Sequence, residues 1–219
     1  MSILAHLSDL HLIERDHDKR RGLSRRRLQF LSFGAALNAE ARLTRATSLL
    51  AQARRSGADH VLITGDLTED GSAAQFEILA EALHKSRLDP HCVTLVPGNH
   101  DGYSAAGAFA RALTGPLRAF RRTSAEAAIS VLPGAVITPL STMIDGQWFT
   151  RACGAVQHQD LARVRRIASD PISRGRAVVV AQHHPPSPHP VFALQWAHGV
   201  RNALETIKQV QLYEPVAPT

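Results

Sequence analysis

The sequence predicts an α/β protein built on a parallel sheet. Short apolar segments alternate with longer amphipathic ones, and over the first half of the chain this gives the order β-α-β-α-β. The three strands of this half, and a fourth near residue 180, are each followed by a polar cluster that contains Asp, Asn or His. With 219 residues, of which 44% are hydrophobic, the chain can bury a sizeable core, and we expect a single domain over residues 1–219.

Local patterns place the individual elements. The four main strands are predicted at residues 3–7, 60–64, 92–96 and 177–181. Apolar residues at helical spacing predict helices at residues 24–55, 72–86, 105–113 and 159–169. Between the last two helices, Pro-Gly and Asp-Gly turns separate three shorter predicted strands at residues 129–132, 135–140 and 142–144.

Composition limits the function classes only broadly. Lys and Arg number 25 against 19 Asp and Glu, and the net charge of +6 favours anionic partners such as phosphate esters, nucleic acid or an acidic membrane surface. A protein with arginines scattered over its surface is an equal alternative. Cys92 and Cys153 match no metal or redox spacing, so we expect free thiols in a reducing compartment. No signal segment or membrane span is recognisable, and we expect a cytoplasmic protein.

Four polar fragments mark the ends of the four main strands. They are Asp9-Leu10-His11, Gly65-Asp66, Gly98-Asn99-His100-Asp101 and His183-His184-Pro185-Pro186. Open α/β sheets build their sites at the carboxyl ends of their strands. Carboxylate, amide and imidazole groups are ligands for divalent metal ions. Each shorter fragment alone is a common turn, but together they predict a metal centre.

These fragments, in this order, resemble the calcineurin-like metallophosphoesterases over residues 3–188, and most of all their bacterial cyclic-nucleotide and glycerophosphodiester phosphodiesterase branch. The resemblance implies a two-sheet β-sandwich flanked by helices. It also implies two divalent metal ions (Mn, Fe or Zn), which would activate water to attack the phosphorus of a small phosphoester substrate, expected to be a phosphodiester.

The same resemblance implies a role for each motif residue. Asp9 and His11 would hold the first metal, Asp66 would bridge both, and Asn99 and His183 would hold the second. In the family the first histidine of the His-His-Pro-Pro run is the ligand, which selects His183.

The remaining motif residues would act around the metals. His100 would face the substrate, donating to a phosphate oxygen or protonating the leaving alkoxide. Asp101 would orient His100 by accepting its other ring N–H. Gly65 and Gly98 would let the backbone turn sharply, so that the next side chain faces the metals.

One part of the family pattern is missing. The family closes its site with a Gly-His-x-His turn that gives one ligand to each metal, but none of the 36 residues after His183 spells it. Glu214-Pro215-Val216-Ala217 stand in its place, after a predicted strand at 210–213. Whether the chain stops short of the motif or the motif has decayed, we expect five of seven ligands and reduced activity. Substitution by Glu214, His189, His198 or a second chain is the less favoured alternative. Uncovered sheet edges would favour a homodimer.

Two other functions stay open at this stage. A non-catalytic relic could bind a phosphate ligand or a partner protein without turnover, and the missing motif favours it. A nuclease or nucleic-acid binder fits the positive charge, but the chain lacks aromatic residues interleaved with basic ones for base stacking.

A basic segment follows the first motif. Seven of residues 15–27 are Lys or Arg. We favour an anion-steering lip at the substrate entrance, although the segment could also contact anionic lipid or form an ordinary solvated face. Asp70 is expected in a loop or at a helix N-cap.

Overall fold

The computed structural model describes residues 2–33, 36–187, 190–191 and 199–203. The strands are β1 (Leu4–Leu7), β2 (His60–Thr64), β3 (Val93–Val96), β4 (Ser130–Val131), β5 (Ala135–Pro139) and β6 (Ala177–Ala181). The helices are α1 (Gly22–Leu31), α2 (Ala39–Arg55), α3 (Ala73–Ser86), α4 (Ala108–Thr114), α5 (Arg121–Ser124) and α6 (His158–Ser169).

The strands form two three-stranded sheets within the described part of the chain. The first is entirely parallel in the order β1-β2-β3, with Ala5 opposite Val61 and Ile63 opposite Leu95. In the second sheet, β4 runs antiparallel to β5 and β5 runs parallel to β6. This arrangement confirms the predicted two-sheet α/β fold.

The side-chain alternation of β2 explains how the layers pack. Val61 and Ile63 point to one face and join the main core with residues of α2, α3 and α4. Leu62 points to the other face and packs with Ile137 and Ala181 of the second sheet. Helix α6 covers the outer side of the second sheet, where Leu161 packs in a smaller cluster. A strand buried on both faces needs apolar residues on both, which is the pattern of the three central residues of β2, Val61, Leu62 and Ile63.

Three element predictions were wrong in extent. The predicted helix at 24–55 is two helices, because Phe33 has a left-handed φ of 46° and Asn38 caps a new helix by accepting the Ala41 N–H. Helix α4 starts only after Gly107, whose φ is 71°. Residues 142–144 form no strand, since the Thr142 carbonyl accepts the Ala155 N–H instead.

The structure bears on some of the remaining predictions, whereas others concern residues that it does not describe. Cys92 and Cys153 are free, as predicted. No helix in the described part of the chain is long and apolar enough to cross a membrane. The strand predicted at 210–213, residues 214–217, His189 and His198 lie outside the described residues.

Candidate metal centre

Backbone hydrogen bonds carry the pairing of β1 and β2 beyond the strand ends. The Asp9 N–H donates to Gly65 O (3.1 Å), and the His11 N–H donates to Asp66 O (2.9 Å). The Leu12 N–H continues this ladder to the next loop residue, Leu67. The loops after the two strands therefore lie side by side, and this brings Asp9 and His11 next to Asp66.

Three histidines converge on the Asp66 carboxylate. His183 Nε2 lies 3.5 Å from Oδ1, and the Nε2 atoms of His11 and His100 lie 3.9 and 3.8 Å from Oδ2. Asp9 Oδ1 lies 3.8 Å from His11 Nε2. Ligand atoms of His11, Asp66 and His100 all lie within 4.8 Å of one another. An ion at about 2.0–2.2 Å from each ligand atom fits such separations.

The backbone at these residues is unusual. Asp9, His11 and Asp66 have φ values of 56°, 47° and 47°, in the left-handed region that non-glycine residues rarely adopt. Each such residue costs on the order of 1–3 kcal/mol, and this strain concentrates at functional sites. The left-handed turns direct all three side chains into one space.

Two glycines allow the loops to approach this closely. A Cβ atom on Gly65 would lie 1.9 Å from His183 Nδ1, and one on Gly98 would lie 2.2 Å from Asp66 Oδ1. Gly65 also has a φ of +81°, which supports the predicted sharp turn there. Gly98 needs glycine for a different reason, namely the close approach of Asp66.

Backbone carbonyls set the tautomers of two histidines. His183 Nδ1 lies 3.2 Å from Thr64 O, and His100 Nδ1 lies 2.7 Å from Glu69 O. A carbonyl oxygen only accepts, so each Nδ1 carries the proton and the ring presents Nε2 to Asp66. The sequence predicted that Asp101 accepts the ring N–H of His100. This prediction was wrong, because Glu69 O accepts it.

Asp101 has another role. Its fully buried carboxylate accepts the backbone N–H groups of Leu67, Thr68 and Gly98, together with the Thr68 hydroxyl. Burial and the nearby Asp66 carboxylate raise its pKa to about 6 despite these hydrogen bonds. Asp101 thus joins the loop after β2 to the loop after β3. Its hydrogen bonds help to hold these two loops in place at the candidate metal centre.

Of the two adjacent histidines, only His183 faces the centre. The His184 ring is buried, with Nδ1 2.7 Å from Thr142 Oγ1 and Nε2 2.9 Å from Ala152 O. Both nitrogens therefore contact the second half of the chain. This placement agrees with the preference for His183 as a ligand.

Glu69 belongs to the site although the sequence did not single it out. Its Oε2 lies 3.2 Å from His11 Nδ1, without hydrogen-bond alignment, and 2.5 Å from Arg42 Nη1. Burial alone would raise the pKa of Glu69, but His11 and Arg42 bring it to about 2. The sequence signal that could have identified Glu69 is its position between Asp66 and Asp70 in one acidic loop.

Hydrogen bonds of its side chain and of the following residue position Asn99. Its Nδ2 donates to the Tyr103 hydroxyl at 2.6 Å, and the next residue, His100, donates its backbone N–H to Asp66 Oδ1 at 3.0 Å. Asn99 is 4% exposed. Tyr103 was not among the predicted site residues.

The basic segment is largely neutralised by acidic neighbours. Arg20 and Arg27 both pair with the buried Asp70, at 2.6 and 2.7 Å. Arg20 also pairs with Glu14, while Arg15 pairs with carboxylates of α2 and α3. The predicted anion-steering lip is therefore wrong for Arg20 and Arg27, because both are partly buried and paired in a polar network that fixes the segment.

The residues that meet at Asp66 fit divalent cations. They supply carboxylate and imidazole groups, with an amide close by, which suit Mn, Fe or Zn. Burial alone would lower the pKa of His11, but the carboxylates of Glu69, Asp66 and Asp9 raise it above its usual value. The centre therefore concentrates negative charge that a cation would neutralise.

Comparison with known proteins places this centre in a family. A dimetal phosphatase from Danio rerio has a similar structure, with a TM-score of 0.65 and 13% identity over 96% of this chain and 77% of that one. The protein TT1561 of Thermus thermophilus is also similar, with a TM-score of 0.54 and 12% identity over 95% of this chain and 77% of that one. No curated protein gives a significant sequence match. The model of the calcineurin-like phosphoesterases matches residues 3–213, and the chain therefore belongs to that family.

Proposed function

We propose that this protein is a metal-dependent phosphodiesterase. The observation that carries the proposal is the convergence of His11, His100 and His183 on the Asp66 carboxylate, at the carboxyl edge of a parallel sheet. Family membership supports phosphoester hydrolysis, and the donor set supports dependence on metal.

The chain's residues divide into two ligand groups that share one carboxylate. Asp9 and His11 would hold one ion, Asn99 and His183 a second, and Asp66 would bridge them. Bound ions of this kind act as Lewis acids and activate water at neutral pH. The left-handed turns at Asp9, His11 and Asp66 fix these ligands before an ion arrives, which lowers the cost of ordering them.

His100 would handle the substrate. Its Nδ1–H is engaged by Glu69 O, so Nε2 is the atom that can receive or deliver a proton. Donation from Nε2 to a phosphate oxygen requires the doubly protonated ring, and the Asp66 carboxylate lies 3.8 Å from Nε2. Such a positioned acid contributes about 10²–10⁴-fold to the rate.

The test compares a diester with a monoester. With Mn²⁺ supplied, the wild-type chain should hydrolyse bis-p-nitrophenyl phosphate faster than p-nitrophenyl phosphate. Asp66→Asn should lose this activity, whereas Asp16→Asn, whose carboxylate pairs with exposed Lys19 at 3.6 Å, should keep it. Faster cleavage of the monoester would refute the diester assignment.

A second candidate, the non-catalytic relic, rests on the missing Gly-His-x-His turn. It predicts Mn²⁺ binding that depends on Asp66 but no turnover of either ester. Calorimetric titration with Mn²⁺, run beside the assay, separates it from the enzyme.

A further inference from the structure

A buried chain of hydrogen bonds leads from a distant loop to Asn99. The Tyr103 hydroxyl donates to Arg151 O at 2.6 Å, and the Asn99 side-chain Nδ2 donates to the Tyr103 hydroxyl, also at 2.6 Å. Gln147 Nε2 donates to the same Arg151 carbonyl at 2.7 Å. The chain therefore begins at a backbone group that the 147–151 loop holds in place.

The direction of this chain is fixed by its first member. A carbonyl oxygen has no hydrogen to give, so the Tyr103 hydroxyl must use its single hydrogen on Arg151 O. The hydroxyl then offers only lone pairs to Asn99. Only the amide nitrogen of Asn99 can meet these lone pairs, since the reversed amide would set oxygen against oxygen.

Tyr103 itself cannot turn aside easily. The residue is 7% exposed, and its ring lies 5.1 Å from the ring of His100. Arg27 Nη1 donates to the Tyr103 backbone carbonyl at 3.3 Å, which ties this residue to the polar network around Asp70.

With Nδ2 engaged, Asn99 has its carbonyl oxygen left for a ligand. No hydrogen bond to Oδ1 is found among the described residues. A cation needs this oxygen, because the amide NH₂ group has no lone pair to give and would direct its positive hydrogens at the ion. A terminal amide can otherwise rotate between two nearly equivalent orientations.

We propose that Tyr103 is a positioning residue for the metal centre, which fixes the Asn99 amide so that Oδ1 is the atom presented to the second ion. This inference rests on the proposed function, because it takes Asn99 as a ligand. It adds a residue that none of the four motifs contains.

The first experiment measures Mn²⁺ affinity by calorimetry on the whole chain. Tyr103→Phe keeps the ring and removes only the hydroxyl. It should weaken the binding of the second ion about 10–100-fold, which is the usual effect of losing a residue that orients a ligand. Gln147→Leu removes the other donor to Arg151 O without touching Asn99, and it should leave affinity within about twofold of wild type. Equal losses in both variants would show general loop damage and overturn the proposal.

A double-mutant cycle then tests orientation itself. Asn99→Asp replaces the amide by a carboxylate, which presents an oxygen in either orientation. In that background Tyr103→Phe should change Mn²⁺ affinity by no more than about twofold, within the range in which independent effects add. If Tyr103→Phe lowers Mn²⁺ affinity as much in the Asn99→Asp background as in wild type, Tyr103 does not act by orienting the Asn99 amide, and the inference fails.

Asn99→Ala distinguishes a failure of this inference from a failure of the proposed ligand set on which it rests. If Asn99→Ala leaves the affinity for Mn²⁺ unchanged, Asn99 is not a ligand and the proposed ligand set fails. If Asn99→Ala weakens binding but Tyr103→Phe does not, the ligand set stands and the positioning role is refuted. Melting temperatures of the metal-free variants, expected to match wild type within a few degrees, exclude unfolding as the cause.

Discussion

Replacing Gly98 with alanine would place a methyl carbon inside the metal centre. The new Cβ would lie 2.2 Å from Oδ1 and 2.3 Å from the backbone nitrogen of Asp66, and 2.9 Å from Gly65 Cα. Ordinary contact begins at 3.4 Å, so Asp66 and the methyl group must separate by about 1.2 Å more. Because two of the three nearest atoms belong to backbone, a side-chain rotation cannot relieve the overlap.

The expected effect has two measurable parts. Overpacking of this kind destabilises by about 1–3 kcal/mol, which lowers the melting temperature by roughly 2–12 °C in a chain of this size. A displacement near 1 Å in Asp66, the residue proposed to bridge the metals, should also reduce turnover about 10²-fold. Thermal unfolding of the metal-free protein and the diester assay measure these effects separately.

Gly134→Ala is the matched control. Its new Cβ would have Ser2 Oγ as its nearest neighbour, at 3.7 Å, so the same chemical change produces no overlap. We expect wild-type activity and a melting temperature within a few degrees of wild type. If Gly98→Ala behaves like Gly134→Ala in both measurements, the close approach of the two loops described above is incorrect.

The other predictions concern ligands, stability and metal content. Asp66→Ala should abolish Mn²⁺ binding, whereas His100→Ala should keep the metal and lose about 10²–10⁴-fold in turnover; loss of metal in the latter would make His100 a ligand. Asp101→Asn should weaken stability by about 2–5 kcal/mol in urea unfolding, because the amide turns a donor toward backbone N–H groups. Burial lowers the pKa of His60 to about 4, so the stability of wild type relative to His60→Gln should fall by up to about 3 kcal/mol as pH drops from 6.5 to 4. If the five proposed ligands are the full set, at least one Mn²⁺ should bind weakly, and tight binding of two ions would show that another residue completes the site.

The strands and their terminal motifs could be predicted from the sequence because both depend on local pattern. Residues 60–64 and 177–181 alternate or repeat apolar side chains over a strand length, and β2 and β6 have these same bounds. Parallel strands bring their carboxyl ends to one edge, so the convergence of the polar clusters after β1, β2 and β3 needed no further information. The approach of His183 did need it, because β6 lies in the second sheet.

The helical segment at 24–55 shows where local pattern fails. Apolar spacing continues through it, but Asn38 provides a side-chain acceptor for a new helix start, and this competes with continuation. The chain divides into α1 and α2, and α1 then carries Arg27 to Asp70. Which outcome prevails depends on partners that are distant in sequence.

The roles around the centre were decided by tertiary contacts. His183 and His184 are neighbours of the same type, and only their surroundings distinguish a residue facing Asp66 from one buried against Thr142. Asp101 follows His100 directly, yet the ring is oriented by Glu69 O, 31 residues away.

The sequence by itself determined the fold class and the candidate ligands, because strand patterns and motif residues are properties of short segments. The tertiary structure alone decided which atoms orient these ligands. Glu69 and Tyr103 act through hydrogen-bonding and ion-pair geometry between loops that follow different elements. Such geometry is set by strand register and by left-handed turns at residues such as Asp66, and a one-dimensional pattern carries neither.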